Sequence, residues 1–112
     1  EGCVRETLGA ALVAYQARYA EAFEVRRVMA AIAIDEARHA ELSWRIHAWL
    51  RQTLAPGDVR AIERDARGLA QDLADQPDPS LSLQRVAGLP DRRTRRRLAE
   101  HLGTALWGWR VA

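Results

Sequence analysis

The chain has 112 residues, which is enough for one small domain. Its net charge of +2 is too small to indicate a nucleic-acid partner by itself, and its single cysteine excludes an internal disulfide. The longest apolar runs, such as VMAAIAI at 28–34, fall far short of the roughly 20 residues that a membrane-spanning helix needs.

Two long helices are predicted in the first half of the chain. The first runs from the start to about Ala20, on an apolar stripe made by Leu8, Leu12, Tyr15 and Tyr19. The stripe breaks at residues 21–24, where we expect a short turn. The second helix covers about 25–54, and one broad face of it collects Val28, Ile32, His39, Ile46 and Leu50, with Trp49 beside them.

Shorter helices are predicted in the second half. The segment APGD at 55–58 ends the second helix, because Pro cannot continue it, and Asp58 is expected to cap a third helix over about 59–75. QPDPS at 76–80 reads as a linker. A short helix follows, capped by Ser80 or Ser82 and ended by Gly88, and a last helix capped by Asp91 runs to about Trp109.

These elements predict an all-α fold, since Ala and Arg favour helices and no segment alternates in the manner of a strand. Residues 1–54 form a long antiparallel helical hairpin, and residues 55–112 form a helical C-terminal extension. A two-helix hairpin cannot bury its apolar face alone. The extension, a second copy of the chain or a segment absent from this sequence must therefore cover it.

Glu36 and His39 stand out because they lie on the apolar face of the second helix. Residues three apart are neighbours on a helix surface, and a buried carboxylate or imidazole is costly unless it is paired or binds a metal. E-x-x-H is the spacing by which one helix of a bundle gives two ligands to a di-metal centre. A further Glu must come from the neighbouring helix. We prefer Glu1 because it shares the apolar stripe with Leu8 and Leu12, and we keep Glu6 as the second choice because height along the hairpin favours it.

The motif DEARHAEL at 35–42 resembles the last-helix motif of ferritin-like di-iron proteins such as bacterioferritin. EGCVRET at 1–7 resembles the preceding helix of bacterial ferritin-like domains, which opens with a ligating Glu. The resemblance covers about residues 1–54. It implies iron or manganese binding at a di-metal carboxylate site, with oxidase-type chemistry. Glu36 would bridge the metals, His39 would be a terminal ligand, and Glu1 or Glu6 would ligate from the other helix.

The resemblance accounts for only half of such a site. A complete centre takes two lone Glu residues and two E-x-x-H pairs from four helices, and this chain has one of each. The chain also begins with Glu rather than Met, inside a helical pattern. We therefore expect either a missing N-terminal helix pair or a homodimer to complete the bundle. The alternative function is a non-catalytic helical interaction domain that has lost the metal.

Five Arg residues crowd the segment DRRTRRR at 91–97. One hypothesis is contact with nucleic-acid phosphates. The sequence argues against it, because no base-reading helix follows before the chain ends. The favoured interpretation is that the cluster pairs with acidic neighbours such as Asp72, Asp75 and Asp78, or faces water. Elsewhere, Cys3 is expected to be a small buried residue, and Tyr15, Tyr19 and the four Trp residues are expected to be packing groups. His47 and His101 have no evident partners and are expected at the surface.

Overall fold

The computed structural model describes residues 2–108, and most of them lie in five helices. These are α1 (Gly2–Tyr19), α2 (Phe23–Thr53), α3 (Pro56–Ala74), α4 (Leu81–Val86) and α5 (Arg92–Trp107). Residues 2–108 contain no strand, which confirms the all-α prediction, and α1 packs along α2 as the predicted long hairpin. Within the same residues, no helix is both long and apolar enough to cross a membrane.

Local capping chemistry explains where the later helices begin and end. The Ser80 hydroxyl accepts a hydrogen bond from the Leu83 N–H at 3.2 Å and so caps α4. The Asp91 carboxylate likewise accepts from the Thr94 N–H at 2.7 Å and caps α5, as predicted. The prediction for Asp58 was wrong. Pro56 occupies the start of α3, where its missing N–H costs nothing, so Asp58 lies inside the first turn.

The buried core joins α1 to the C-terminal helices. Val4 and Leu8 of α1 pack against Ala66 and Ala70 of α3. Partly buried apolar side chains from α3 and α5 surround this cluster: Leu69, Leu73, Ala99, Leu102 and Trp107. The small Ala residues let the helix backbones approach closely. The C-terminal extension therefore packs mainly on α1, and it touches α2 only through a few side chains such as Trp44 and Arg51.

The C-terminal end of α4 and the residues that follow it hold the turn between α1 and α2. The N–H groups of Glu21 and Ala22 donate to the carbonyls of Arg85 and Val86 at 2.8 and 3.3 Å. Gly88 has a φ of +69°, and a Cβ placed on it would lie 2.6 Å from the backbone nitrogen of Ala20. Both features require glycine, because other residues disfavour positive φ and would collide with the turn.

One face of α2 remains open, and α2 contains no buried residue. The exposed large apolar side chains on α2 are Phe23, Val28, Ile32, Ile34, Leu42, Ile46 and Trp49. Trp49, at 61% exposure, corrects the prediction that all four Trp residues pack; Trp109 lies outside the described residues. The molecule measures 48 × 29 × 17 Å, so its helices form a flat array. Within the described residues, no further layer covers this face of α2.

The Arg cluster of α5 binds its own neighbours in the chain. Arg92 and Arg96 form ion pairs with Asp75 at 3.5 and 3.4 Å, as the sequence favoured. Asp78 accepts the backbone N–H of Arg92. The guanidinium of Arg95 donates to three carbonyls of residues 74–77, at the C-terminus of α3, where a helix favours positive charge. The cluster thus fixes the linker against α5.

Candidate metal site

Three side chains of the hairpin meet beside the middle of α2. Glu6 belongs to α1, and Glu36 and His39 are neighbours on one side of α2. The Nδ1 atom of His39 lies 3.9 Å from Glu6 Oε2 and 3.7 Å from Glu36 Oε1. One ligand atom from each of the three lies within 4.8 Å of the other two. The two helices therefore bring two carboxylates and an imidazole to one point.

These atoms lie too far apart for direct hydrogen bonds, and the two separations from His39 fall within the range for ligands of one ion. Distances of 3.7 and 3.9 Å are too long for hydrogen bonds. Two ligand atoms that each lie about 2.1 Å from an ion are at most about 4.2 Å apart. Small rotations of the side chains would bring all three atoms into one coordination sphere. Carboxylate and imidazole ligands together are the kind that iron and manganese accept.

The group is half open to water. The side chain of His39 is 60% exposed, whereas those of Glu6 and Glu36 are 37% and 28% exposed. Ion pairs at such exposure add little to folding stability. The fold therefore does not need this grouping for its own stability, and an approaching ion would find an open side.

A buried hydrogen bond aligns α1 with α2 next to this group. The indole Nε1–H of Trp44 donates to the hydroxyl of Thr7 at 3.0 Å, and Thr7 is only 6% exposed. Thr7 directly follows Glu6 in the chain, so this bond fixes the height of Glu6 against α2. No sequence signal predicted this bond, because Trp44 was expected only to pack and Thr7 was not singled out.

Trp44 also connects the hairpin to α5. Its ring lies 4.9 Å from that of Trp107, centroid to centroid, and 5.7 Å from the ring of His47. Burial, with a smaller contribution from Arg51, lowers the pKa of His47 below its usual value. His47 was expected at the surface but is half-buried, whereas His101 is exposed, as expected.

The structure describes one of the two ligand candidates on α1. Glu6 lies beside Glu36 and His39, while Glu1 lies outside the described residues. Asp35 is 67% exposed and pairs with Arg38 at 3.5 Å, so it faces solvent in this chain.

The other side chains capable of redox chemistry lie apart from the three ligand candidates. Tyr15 and Tyr19 pair with each other, with ring centroids 4.5 Å apart. Tyr15 is nine residues from Glu6, which is about 13 Å along a helix. Tyr19 is 55% exposed, which corrects the expectation that it packs in the core. Cys3 is half-buried rather than buried, and burial raises the pKa of its thiol, so it stays neutral and unreactive near pH 7.

A small cavity lies between α1, α3 and α5, away from the three ligand candidates. It holds about 20 Å³ and is lined mostly by apolar side chains, among them Leu8, Leu12, Leu73 and Leu98. That volume admits at most one water molecule, and the apolar walls do not favour even that. The cavity therefore does not serve as a substrate pocket.

The described residues form an all-α fold in which Glu6, Glu36 and His39 meet on a helical hairpin. Comparison of the chain with known protein families, with curated proteins and with solved structures finds no match. The ferritin-like resemblance therefore stands on the motif residues alone.

Proposed function

We propose that the chain is a ferritin-like metal-binding domain in which Glu6, Glu36 and His39 hold iron or manganese. The observation that supports it is the convergence of these three side chains from two helices. A lone Glu on one helix and E-x-x-H on the next is half of the ligand set of a bundle di-metal centre. When bound, such an ion supplies redox chemistry. The protein's own part is to neutralise its charge and fix its position.

Each residue has a distinct part in this proposal. Glu36 is the least exposed of the three side chains, so we assign it the role of bridging carboxylate. His39 ligates through Nδ1, the nitrogen that faces both carboxylates. Glu6 anchors the ion to α1, and the bond between Trp44 and Thr7 holds α1 at the required height.

Metal binding can be measured without any assumed reaction. The chain, purified without a His tag, would be titrated with Mn²⁺ while the free ion is followed by electron paramagnetic resonance. Fe²⁺ content after anaerobic loading would be measured by elemental analysis. Glu6→Gln, Glu36→Gln and His39→Gln should each weaken binding about tenfold or more, since each removes one ligand.

Matched controls separate the three ligands from general surface charge. Glu41→Gln removes an exposed carboxylate of α2 that pairs only with Arg45, and His101→Gln removes an exposed imidazole of α5. Both controls should bind Mn²⁺ like the unchanged chain. Equal binding by all five variants, or no binding by the unchanged chain, would reject the proposed metal site.

A non-catalytic interaction domain is the second candidate, and the open apolar face of α2 favours it. In that case Glu36→Ala and His39→Ala leave folding unchanged or raise the melting temperature, with no loss of bound metal. Nucleic-acid binding is less well supported, since Arg92, Arg95 and Arg96 already bind the linker and Asp75.

A further inference from the structure

α2 carries a continuous seam along its open side. From Val25 onward, the seam positions recur at alternating intervals of three and four residues, which is the repeat of a coiled coil. Its apolar members, hereafter the α2 seam, are Val25, Val28, Ile32, Leu42, Ile46 and Trp49. Asp35 and His39 fill the two central positions of the same repeat. Such a narrow, regular stripe is typical of a helix that pairs with another helix.

Little of this seam is used inside the chain. Val28, Leu42, Ile46 and Trp49 are 53%, 57%, 49% and 61% exposed, and Ile32 is 37% exposed. The side chains of Asp35 and His39 are 67% and 60% exposed. Exposed apolar residues are ordinary when scattered, but a patch that follows one helix for about 36 Å marks an interaction surface.

The apolar and polar positions of the seam follow the same order whether they are read from the N-terminal or the C-terminal end of α2. We propose that a second copy of the chain docks on the α2 seam, antiparallel, about a two-fold axis beside Ala37. Under that symmetry each contact occurs twice with the partners exchanged. The apolar positions then meet as Val25 with Trp49, Val28 with Ile46, and Ile32 with Leu42. Asp35 of each copy meets His39 of the other.

This order favours a second copy over an unrelated partner. An unrelated partner helix requires only that the seam be apolar. A two-fold pair requires in addition that the two polar positions lie at equal distances from the centre and that one is acidic and the other basic. Asp35 and His39 meet that requirement. A parallel copy would instead bring Asp35 against Asp35 and His39 against His39, which places like groups together.

The dimer goes beyond the proposed metal site and is compatible with it. His39 faces Glu6 and Glu36 through Nδ1, which leaves Nε2 to meet Asp35 of the other copy. A carboxylate on the second nitrogen is the usual way in which a ligating His is oriented. The apolar seam does not depend on a metal, so the two ideas can fail separately.

Charge exchange on the seam tests the pairing register. Ile32→Lys or Leu42→Glu alone places two unpaired charges against apolar side chains and should convert a dimer to a monomer at about 50 µM chain. The double variant Ile32→Lys with Leu42→Glu places each Lys opposite a Glu of the other copy and should restore the dimer. The control Ile32→Lys with Ile46→Glu carries the same charges in the wrong register and should stay monomeric.

Sedimentation equilibrium, from about 1 to 300 µM chain, gives the association state, and circular dichroism confirms that each variant is folded. All samples would be run with chelator and again with Mn²⁺, and Mn²⁺ uptake would be recorded. An unchanged chain that stays monomeric throughout overturns the proposal, as does equal restoration by the two double variants. If the unchanged chain stays monomeric and still binds Mn²⁺, the dimer is rejected and the proposed function stands.

Discussion

Replacing Gly88 by Ala should be the most damaging small substitution in the chain. The residue has a φ of +69°, and adoption of this region by Ala costs about 1–2 kcal/mol. The added methyl would also lie 2.6 Å from the backbone nitrogen of Ala20, which cannot rotate away. The segment must then move, and that movement weakens the hydrogen bonds from Glu21 and Ala22 to residues 85 and 86.

The magnitude follows from these two effects. Each of the two lost backbone bonds is worth about 0.5–1.5 kcal/mol, so with the backbone strain the free energy of unfolding should fall by about 3–4 kcal/mol. For a chain of this size that corresponds to a melting temperature lower by roughly 12–16 °C. Urea denaturation and thermal melts followed by circular dichroism would measure both quantities.

Two other glycines provide matched controls. Gly108 has a φ of +63° but open space around its Cβ position, so Gly108→Ala should cost only the backbone strain of about 1–2 kcal/mol. Gly68 lies inside α3 with nothing within 4 Å, so Gly68→Ala should stabilise the chain by about 0.5–1 kcal/mol. If Gly88→Ala costs no more than Gly108→Ala, the proposed close approach to Ala20 does not constrain the fold.

Two further substitutions test the alignment of the hairpin and the cap of α5. Trp44→Phe keeps most of the ring packing but leaves the buried Thr7 hydroxyl without its donor, so stability should fall by about 1–3 kcal/mol in urea melts. Adding Thr7→Val should recover part of that loss; no recovery would contradict the role of the bond. The hydrogen bond from Thr94 lowers the pKa of Asp91, so its stabilising effect is present above the unfolded pKa of about 3.8 and disappears as the pH falls through the folded value. Asp91→Asn should match the unchanged chain near pH 7 and lose less stability toward pH 3, and parallel acid curves for the two proteins would argue against this cap.

Local chemistry predicted most helix ends but not all of them. Asp91 was identified as a cap, and Ser80 was one of two candidates with Ser82, because a short polar side chain before a helical pattern can bind a free N–H of the first turn. Ser80 and Asp91 both do so. Asp58 has the same chemistry and was assigned the same role. It failed because Pro56, two residues earlier, is also suited to the first helical position, and the sequence does not rank the two signals.

Glu1 lies outside the described residues, so the preference for it stays a prediction, but the placement of Glu6 shows why orientation was harder to predict than height. Glu1 was preferred because it shares a stripe with Leu8 and Leu12, and that stripe was assumed to face the second helix. In the structure Leu8 packs in the core with α3, and both Leu residues line the cavity shared with α3 and α5. Glu6, on a different side of α1, is the residue that reaches His39. Counting along the hairpin had already pointed to it, since height depends only on helix rise.

The direction in which the apolar face of α2 points was equally hard to predict. Its periodicity located an apolar face correctly, but periodicity does not say which neighbour covers that face. α1 contacts α2 through Thr7 and Trp44, and the apolar residues such as Ile46 are left outside. Only the packing of the C-terminal helices on α1, which involves contacts distant in sequence, decided that outcome.

The contact between the hairpin turn and residues 85–88 has a consequence for the order of folding. The pairing of α1 with α2 closes a loop of three residues, whereas the bonds from Glu21 and Ala22 span more than 60 positions of the chain. Contacts between near positions form first, since they lose less chain entropy. The amide protons of Glu21 and Ala22 should therefore gain protection from deuterium exchange only in the final, slower phase, when the C-terminal half reaches the turn.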